Sequence, residues 1–217
     1  MQKIAIATVI AALAGTANAQ IAQWDLLGAP GNQAFTTGTG TANVTANNLT
    51  RGSGITGNAG GSSFNSAGWN DLGANDFISF GFNVAPGFAV NLDSLYIGSR
   101  SSNTGPGFLG LFSSVDGFST NLFTFAMTGT DFRNDQVNLS ALTNLTGNVE
   151  FRVRALNGTS ATGGAISSTG TFRLTAFFSG GAFDRNLQFT GTVVPTPGAA
   201  ALAAIAGLVS IRRRRSA

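Results

Sequence analysis

Hydrophobic and polar residues alternate through much of the middle of the chain. The segment from Asp76 to Val84 carries an apolar residue at every second position from Ile78 onward. A period of two predicts a β-strand with one buried face. The turn Ala85-Pro86-Gly87 ends this strand, and the alternation then resumes. The apolar phase reverses at Asp93-Ser94, where we expect a bulge or a bend.

Other segments show the same alternation, and no segment between the two ends of the chain shows a helical period. About ten short strands without crossover helices imply antiparallel pairing. We therefore predict an all-β domain over 20–194, an antiparallel, jelly-roll-like β-sandwich, with an up-and-down barrel as the alternative. The stretch from Gly52 to Gly73 is predicted to be a long loop, either ordered or mobile. The clear strands are 149–155, 172–178 and 187–193, and the weaker candidates are Ala22 to Leu26, Asn43 to Ala46, Phe108 to Phe112, Leu122 to Met127 and Gln136 to Leu139.

The N-terminal residues have the pattern of a secretory signal peptide. Lys3 supplies a positive charge, an apolar stretch follows, and Ala17-Asn18-Ala19 places small residues around a cleavage site before Gln20. Residues 1–19 are therefore predicted to direct the chain to Sec-type export machinery and then to be removed. The short buried helix that the apolar stretch would otherwise form is the alternative.

The C-terminal residues 195–217 have the pattern of a second sorting signal. Pro195-Thr196-Pro197 is followed by a small-apolar run from Gly198 to Ile211 and then by basic residues. As a helix, the run would rise about 21 Å, short of a hydrocarbon core of about 30 Å unless flanking residues contribute. Basic residues after an apolar span stay cytoplasmic, so the domain would lie outside. These basic residues are Arg212, Arg213, Arg214 and Arg215.

This tail resembles the PEP-CTERM sorting tail of bacterial exopolysaccharide-associated proteins. The resemblance implies cleavage near the proline motif by a membrane protease of the exosortase type, with release or transfer to the cell surface. Thr196 stands where the name-giving motif has glutamate, as in a Pro-Thr-Pro variant. Segments such as 48–54, 76–80 and 100–106 resemble domains that precede such tails, which look like β-sandwiches without assigned chemistry. We expect a surface, outer-membrane or matrix location, with a transient or retained membrane anchor.

Composition excludes several classes of function. The chain has no His and no Cys, which removes Ser-His-Asp catalysis, thiol catalysis and His- or Cys-based metal sites. Its only lysine lies in the signal peptide. The domain keeps seven arginines against nine acids, a net charge of −2, so nucleic-acid binding is disfavoured. We predict that the protein is not an enzyme and has no resident cofactor; a glycosidase built from two Asp residues stays formally open.

Two candidate ligand sites emerge from the polar loops. Trp69 lies in a polar loop, where its ring either stacks on a sugar or folds back onto the core. Arg100 either pairs with the carboxylate of Asp116 or forms a sugar-contacting face with Asn103 and Asp116. Asp71 is the remaining loop residue that we assign to carbohydrate contact.

Calcium is a further candidate ligand. Asp71, Asn75 and Asp76 cluster before a strand, and Asp116-Gly117 lies in a turn, so oxygen ligands are present. No segment has the spacing of an EF-hand loop, and aspartate that only shapes a turn is the commoner explanation.

The sequence thus predicts a non-catalytic exported protein of the cell surface or extracellular matrix. The alternative is a carbohydrate-binding module for exopolysaccharide, and a secreted hydrolase ranks third. An exposed Trp69 beside a concave polar face would favour the module, and two Asp carboxylates facing each other in a cleft would favour the hydrolase.

Overall fold

The structure, a computed structural model, describes residues 19–196. Regular structure in this range is nearly all β, with one 3-10 turn at Ser114–Asp116. Within the same range no helix has the length and apolar character needed to cross a membrane. The strands are β1 (Ala19–Trp24), β2 (Pro30–Gly31), β3 (Phe35–Thr36), β4 (Gly38–Gly40), β5 (Val44–Ala46), β6 (Leu49–Arg51), β7 (Thr56–Gly57), β8 (Ser63–Ala67), β9 (Phe77–Val84), β10 (Phe88–Ser101), β11 (Phe108–Ser113), β12 (Phe123–Ala126), β13 (Arg133–Asn138), β14 (Gly147–Ala155), β15 (Thr171–Thr175), β16 (Phe177–Ser179), β17 (Ala182–Arg185) and β18 (Leu187–Pro195).

The strands form two large sheets and one hairpin. The first sheet runs β2-β8-β15-β10-β18-β1-β4, with β13 paired to β10 and β7 to β8. The second sheet runs β12-β11-β14-β9-β6-β3, with β5 paired to β9, and β16 pairs only with β17. Strand pairs are antiparallel except for the short β2–β8 pair. From β8 to β15 nearly every connection takes the chain from one sheet to the other, which gives a sandwich-like all-β fold.

Aromatic residues from both sheets meet in the core. Trp24 and Phe189 come from the first sheet, Phe80 and Phe151 from the second, and all four side chains are almost fully buried. The ring centroids of Phe151 and Phe189 lie 4.6 Å apart, and those of Trp24 and Phe80 lie 5.3 Å apart. Such contacts add to the large apolar area that each ring removes from water. They hold the two sheets face to face.

The expected irregularity at Asp93-Ser94 is confirmed. The pairing of β10 with β18 shifts register between Leu92 and Ser94, opposite Gly191 and Thr190. The backbones approach closely here, since a Cβ on Gly191 would lie 2.2 Å from the Asn91 carbonyl oxygen. The bulge explains why apolar residues on both sides of it reach the same core.

The stretch 52–73 is not a long loop, because β7 and β8 lie within it. All five residues of β8 are buried, although Ser63, Asn65 and Ser66 are polar. Hydrogen bonds compensate part of this burial: Arg51 Nε donates to Ser66 Oγ at 2.8 Å, and Asn65 Nδ2 donates to the Ala59 carbonyl oxygen at 3.1 Å. A polar strand that is buried through side-chain hydrogen bonds shows no apolar alternation, so the sequence pattern missed it.

The predicted strand 172–178 is interrupted. β15 ends at Thr175, and the β16–β17 hairpin begins two residues later. The chain crosses Gly98 at this point, where a Cβ would lie 2.1 Å from the Ala176 carbonyl oxygen. The hairpin then folds over the outer face of the first sheet, with the ring of Phe177 5.3 Å from that of Tyr96. The other predicted strands are confirmed, with ends that differ by up to three residues.

Both ends of the described range lie in the first sheet. Ala19 begins β1 and pairs with Gly191, and β18 ends at Pro195, which pairs with Phe88. The Thr196 N–H donates to the Gly87 carbonyl oxygen at 2.9 Å. The predicted signal peptide up to Asn18, the predicted apolar helix and its arginines lie outside the described residues.

Candidate functional site

Trp69 is an anchor for its loop, not a surface for a sugar. Its side chain is fully buried, its indole N–H donates to the Ser66 carbonyl oxygen at 2.9 Å, and its ring lies edge-on to Phe172 at 5.8 Å. Neither face of the indole is therefore accessible to a ligand. The sugar-stacking interpretation of Trp69 is wrong, and the alternative, that it folds back onto the core, describes the structure. Trp24 is fully buried as well.

The loop that follows Trp69 brings two carboxyl groups together. Asp71 is exposed and Asp76 is 97% buried, and their side chains share a hydrogen bond. The Gly73 N–H donates to Asp76 Oδ2 at 2.8 Å. The hydrogen bond from Asp76 lowers the pKa of Asp71, while burial and this same hydrogen bond raise the pKa of Asp76. The pair thus favours one shared proton.

This carboxyl pair does not have the geometry of a glycosidase. Retaining and inverting enzymes hold their two carboxyl groups about 5 Å or more apart, to accommodate sugar and water. Asp71 and Asp76 instead lie close enough to share a hydrogen bond. Asp76 does line a cavity of about 240 Å³ together with Arg154 and Leu156. Among residues 19–196, no group of three or more acidic side chains is placed to hold a metal ion.

The residues Arg100, Asn103 and Asp116 do not form the expected polar face. The Asp116 carboxylate accepts the N–H groups of Ser119 at 3.2 Å and Thr120 at 2.9 Å in the turn after β11, in the second sheet. Hydrogen bonds from Thr120 and Ser119 lower the pKa of Asp116. Arg100 belongs to the first sheet, and the ion pairs found within residues 19–196 do not include it.

Arg100 and Asn103 each have another local partner. Arg100 Nε donates to the Thr130 carbonyl oxygen. Asn103 lies in an exposed turn, where its carbonyl oxygen accepts the Thr162 hydroxyl at 2.9 Å. The predicted pairing of Arg100 with Asp116 is therefore wrong.

A different surface combines exposed aromatic rings with arginines on the outer face of the first sheet. We call it the aromatic–arginine face and define it by six residues. The Phe132 and Phe183 side chains are 55% and 47% exposed, which is high for rings of this size. Its residues are Arg100, Phe132, Asn134, Arg173, Phe178 and Phe183.

The β16–β17 hairpin builds one wall of this face. The Phe178 N–H donates to Asn134 Oδ1 at 2.8 Å, which ties the hairpin to β13. The turn Gly180-Gly181 has φ angles of 59° and 82°, a left-handed conformation that glycine adopts readily. A cavity of about 290 Å³ lies between hairpin and sheet, lined by Phe132, Asn134, Phe178 and Gly181. Its lining is mostly apolar, with two aromatic rings and one amide.

Two arginines stand beside this cavity. Arg100 in β10 lies directly opposite Arg173 in β15, and the Arg100 guanidinium lies over the Phe132 ring at 4.9 Å from its centroid. Residues directly opposite in an antiparallel pair have Cβ atoms about 5 Å apart. Burial and the positive charge of Arg100 lower the pKa of Arg173. The face therefore concentrates positive charge on a domain whose net charge is negative.

Comparisons with protein-family models, with curated proteins and with solved structures give no match to this chain.

Sequence reasoning found one member of the aromatic–arginine face, Arg100, and missed the rest. Arg173 alternates with Phe172 and Leu174, so its outward direction was readable from the pattern. Its position opposite Arg100 depends on strand register between segments about 70 residues apart, for which the sequence holds no local signal. Phe132 lies in a loop, where alternation says nothing about exposure.

Proposed function

We propose that the chain is a non-catalytic exported protein of the cell surface or extracellular matrix. It would be delivered by its signal peptide and by a PEP-CTERM-type tail with an exosortase-like processing enzyme as partner. The sandwich would act by presenting its loops and exposed rings to polysaccharide or to neighbouring proteins. No nucleic acid is involved in this proposal.

The placement of the two ends supports it best. Ala19 pairs with Gly191, and β18 continues past this point to Pro195, so both ends leave the sandwich beside each other. The core residues come from within 21–189, inside both predicted processing sites. Both signals can then be removed without removing a core residue. The opposite end of the sandwich would point away from the membrane.

Cell fractionation tests this proposal. The full chain is expressed in a bacterium that has an exosortase-type system, beside a variant that ends after Pro197. A second variant keeps the tail and replaces Arg212–Arg215 with glutamine. We expect the full chain at the surface or in the matrix and both variants to be missorted. Full chain confined to the cytoplasm would contradict the proposal.

Carbohydrate binding is the second candidate function, and the aromatic–arginine face favours it. Exposed rings around a cavity of about 290 Å³ give apolar surface for the faces of sugar rings, and Asn134 lines the same cavity. Trp69 plays no part in this version of the module, because its ring is buried. A glycan array probed with wild type and with Phe132→Ala tests it: binding that the substitution leaves unchanged would contradict a site on this face.

The repeated crossing of the chain from one sheet to the other supports the predicted jelly-roll-like arrangement, which an experimental structure would test. A secreted hydrolase gains little support, because Asp71 and Asp76 touch instead of facing each other across a gap.

A further inference from the structure

Arg173 differs from the other arginines of the domain. The seven arginines of residues 19–196 mostly have carboxylate, carbonyl or aromatic partners: Arg133, Arg152 and Arg185 form ion pairs, and Arg51 donates four hydrogen bonds. Arg173 has no side-chain hydrogen bond, ion pair or ring partner among the described residues. It is only partly exposed, and the residue directly opposite it, Arg100, is another cation.

The position of Arg173 is costly for the fold. It lies directly opposite Arg100, and like charges facing each other across an antiparallel pair are destabilising. Asp131 lies next to Phe132 in sequence, yet the ion pairs within residues 19–196 do not join it to Arg100. Two neighbouring guanidinium groups without a carboxylate can bind an external anion, because each presents a fork of N–H donors.

The surroundings of the two arginines suggest what carries the anion. On one side, the loop residue Gly60 approaches Arg173 so closely that a Cβ there would lie 3.2 Å from Nη1. On the other side, Phe132 lies under Arg100 and also lines the aromatic cavity. A ligand that contacts the two arginines and the neighbouring aromatic cavity together would combine negative charge with flat apolar surface. Sugar rings that carry carboxylates have both properties.

We propose that the aromatic–arginine face binds an acidic polysaccharide. Carboxylates of uronate residues would bind between Arg100 and Arg173, and neighbouring sugar rings would lie against Phe132 and Phe178. This inference deepens the second candidate function and rests on delivery of the protein to a polysaccharide-containing surface. The ligand replaces the carboxylate partner that Arg173 lacks within the protein.

Binding to a charged polymer and to its neutral ester tests the proposal. The full chain, purified in mild detergent, is titrated with polygalacturonate and with methyl-esterified polygalacturonate, in which neutral methyl esters replace the carboxylates. Dextran sulfate and inorganic phosphate distinguish a sulfate ester or a free ion from a uronate. The variants are Arg100→Gln and Arg173→Gln. Arg154→Gln is the matched control, because Arg154 is exposed on the second sheet and also lacks a carboxylate partner.

We expect wild type to bind polygalacturonate at least about tenfold more tightly than its ester, a ratio that would be worth about 1.4 kcal/mol. Arg100→Gln and Arg173→Gln should each lose most of this preference, and Arg154→Gln should keep it. Salt should weaken binding to the charged polymer only. Melting curves of each variant establish that it is folded.

Several outcomes would overturn the proposal. Equal binding of the acid and the ester would exclude charge as the determinant. Equal loss in Arg154→Gln would indicate attraction to overall charge, and tighter binding of dextran sulfate or phosphate would exclude uronate. A protein that reaches the surface but binds none of these polymers would refute this inference alone; one that never leaves the cytoplasm would refute the proposed function.

Discussion

The carboxyl group of buried Asp76 shares a hydrogen bond with that of exposed Asp71. The Gly73 N–H also donates to Asp76. The shared proton and this hydrogen bond together tie the loop that contains Asp71 and Gly73 to Asp76, directly before β9. An ionised Asp76 would place two negative charges in contact, one of them buried, so the loop is sensitive to pH.

Asp76→Asn should stabilise the protein at high pH and leave it little changed at low pH. The raised pKa of Asp76 means that its contribution to stability is fully present below the unfolded value of about 3.9 and is lost as pH rises through the folded value. Asparagine keeps an acceptor for Gly73 and a donor for Asp71 without the charge. Thermal unfolding at about pH 3 and about pH 8 measures the difference, with Asp131→Asn as an exposed control. An equal effect of Asp76→Asn at both pH values would contradict this assignment.

Asp71 has the opposite pH dependence. Because the pKa of Asp71 is lowered in the folded protein, its contribution to stability is present above the pKa of the unfolded state. This contribution is lost as pH falls through the pKa of the folded state. Together the two groups favour the singly protonated pair, so wild type should lose stability on both sides of that range.

Trp69→Ala should lower the free energy of unfolding by about 3–5 kcal/mol, as for other buried aromatic residues. Trp69→Phe keeps an edge contact with Phe172 and loses the hydrogen bond to Ser66, which is worth about 1 kcal/mol. Urea unfolding measures both. Wild-type stability of the alanine variant would show that the ring is not part of the core.

Gly191→Ala should destabilise the bulge in β10 by about 1–3 kcal/mol, because the added Cβ would overlap the Asn91 carbonyl oxygen. Gly158→Ala is the matched control, since a Cβ there would meet no atom within 4 Å. Its effect should stay within about 0.5 kcal/mol. Similar values for the two variants in urea unfolding would refute the close approach.

Arg51→Lys should cost about 2–4 kcal/mol, because lysine has one donor group where the guanidinium has a fork. Arg51 donates to the carbonyl oxygens of Gly31, Gln33 and Asn65, and burial lowers its pKa to about 10. Its loss would leave these acceptors unpaired beneath β8. The control is Arg154→Lys at an exposed position, which should be neutral in the same urea experiment.

Local pattern predicted the strands that have one apolar face and failed where burial depends on distant partners. β9 and β14 follow the alternation, and the bulge in β10 follows from its reversal. β8 was missed because its polar side chains are buried with hydrogen-bond partners from distant segments, such as Arg51, which comes from the other sheet. Buried strands of this kind need tertiary contacts to be recognised.

The candidate site was less predictable than the fold. Whether Trp69 points inward depends on how its loop returns to β9, and the sequence allowed both directions. Arg100 and Arg173 lie opposite each other because β10 pairs with β15, two strands that are far apart in the sequence. Asp71 and Asp76 were expected to lie near each other, and their contact follows from the tight turn at Gly73.

The mass of the intact surface-exposed protein tests the central proposal of export and sorting most directly. We predict a chain that begins at Gln20 and has lost Arg212–Arg215 with the apolar run before them. A variant with alanine at Pro195 and Pro197 should keep its tail. Surface protein with Arg212–Arg215 still attached would contradict processing of the tail, and protein that also keeps residues 1–19 would contradict export by this route.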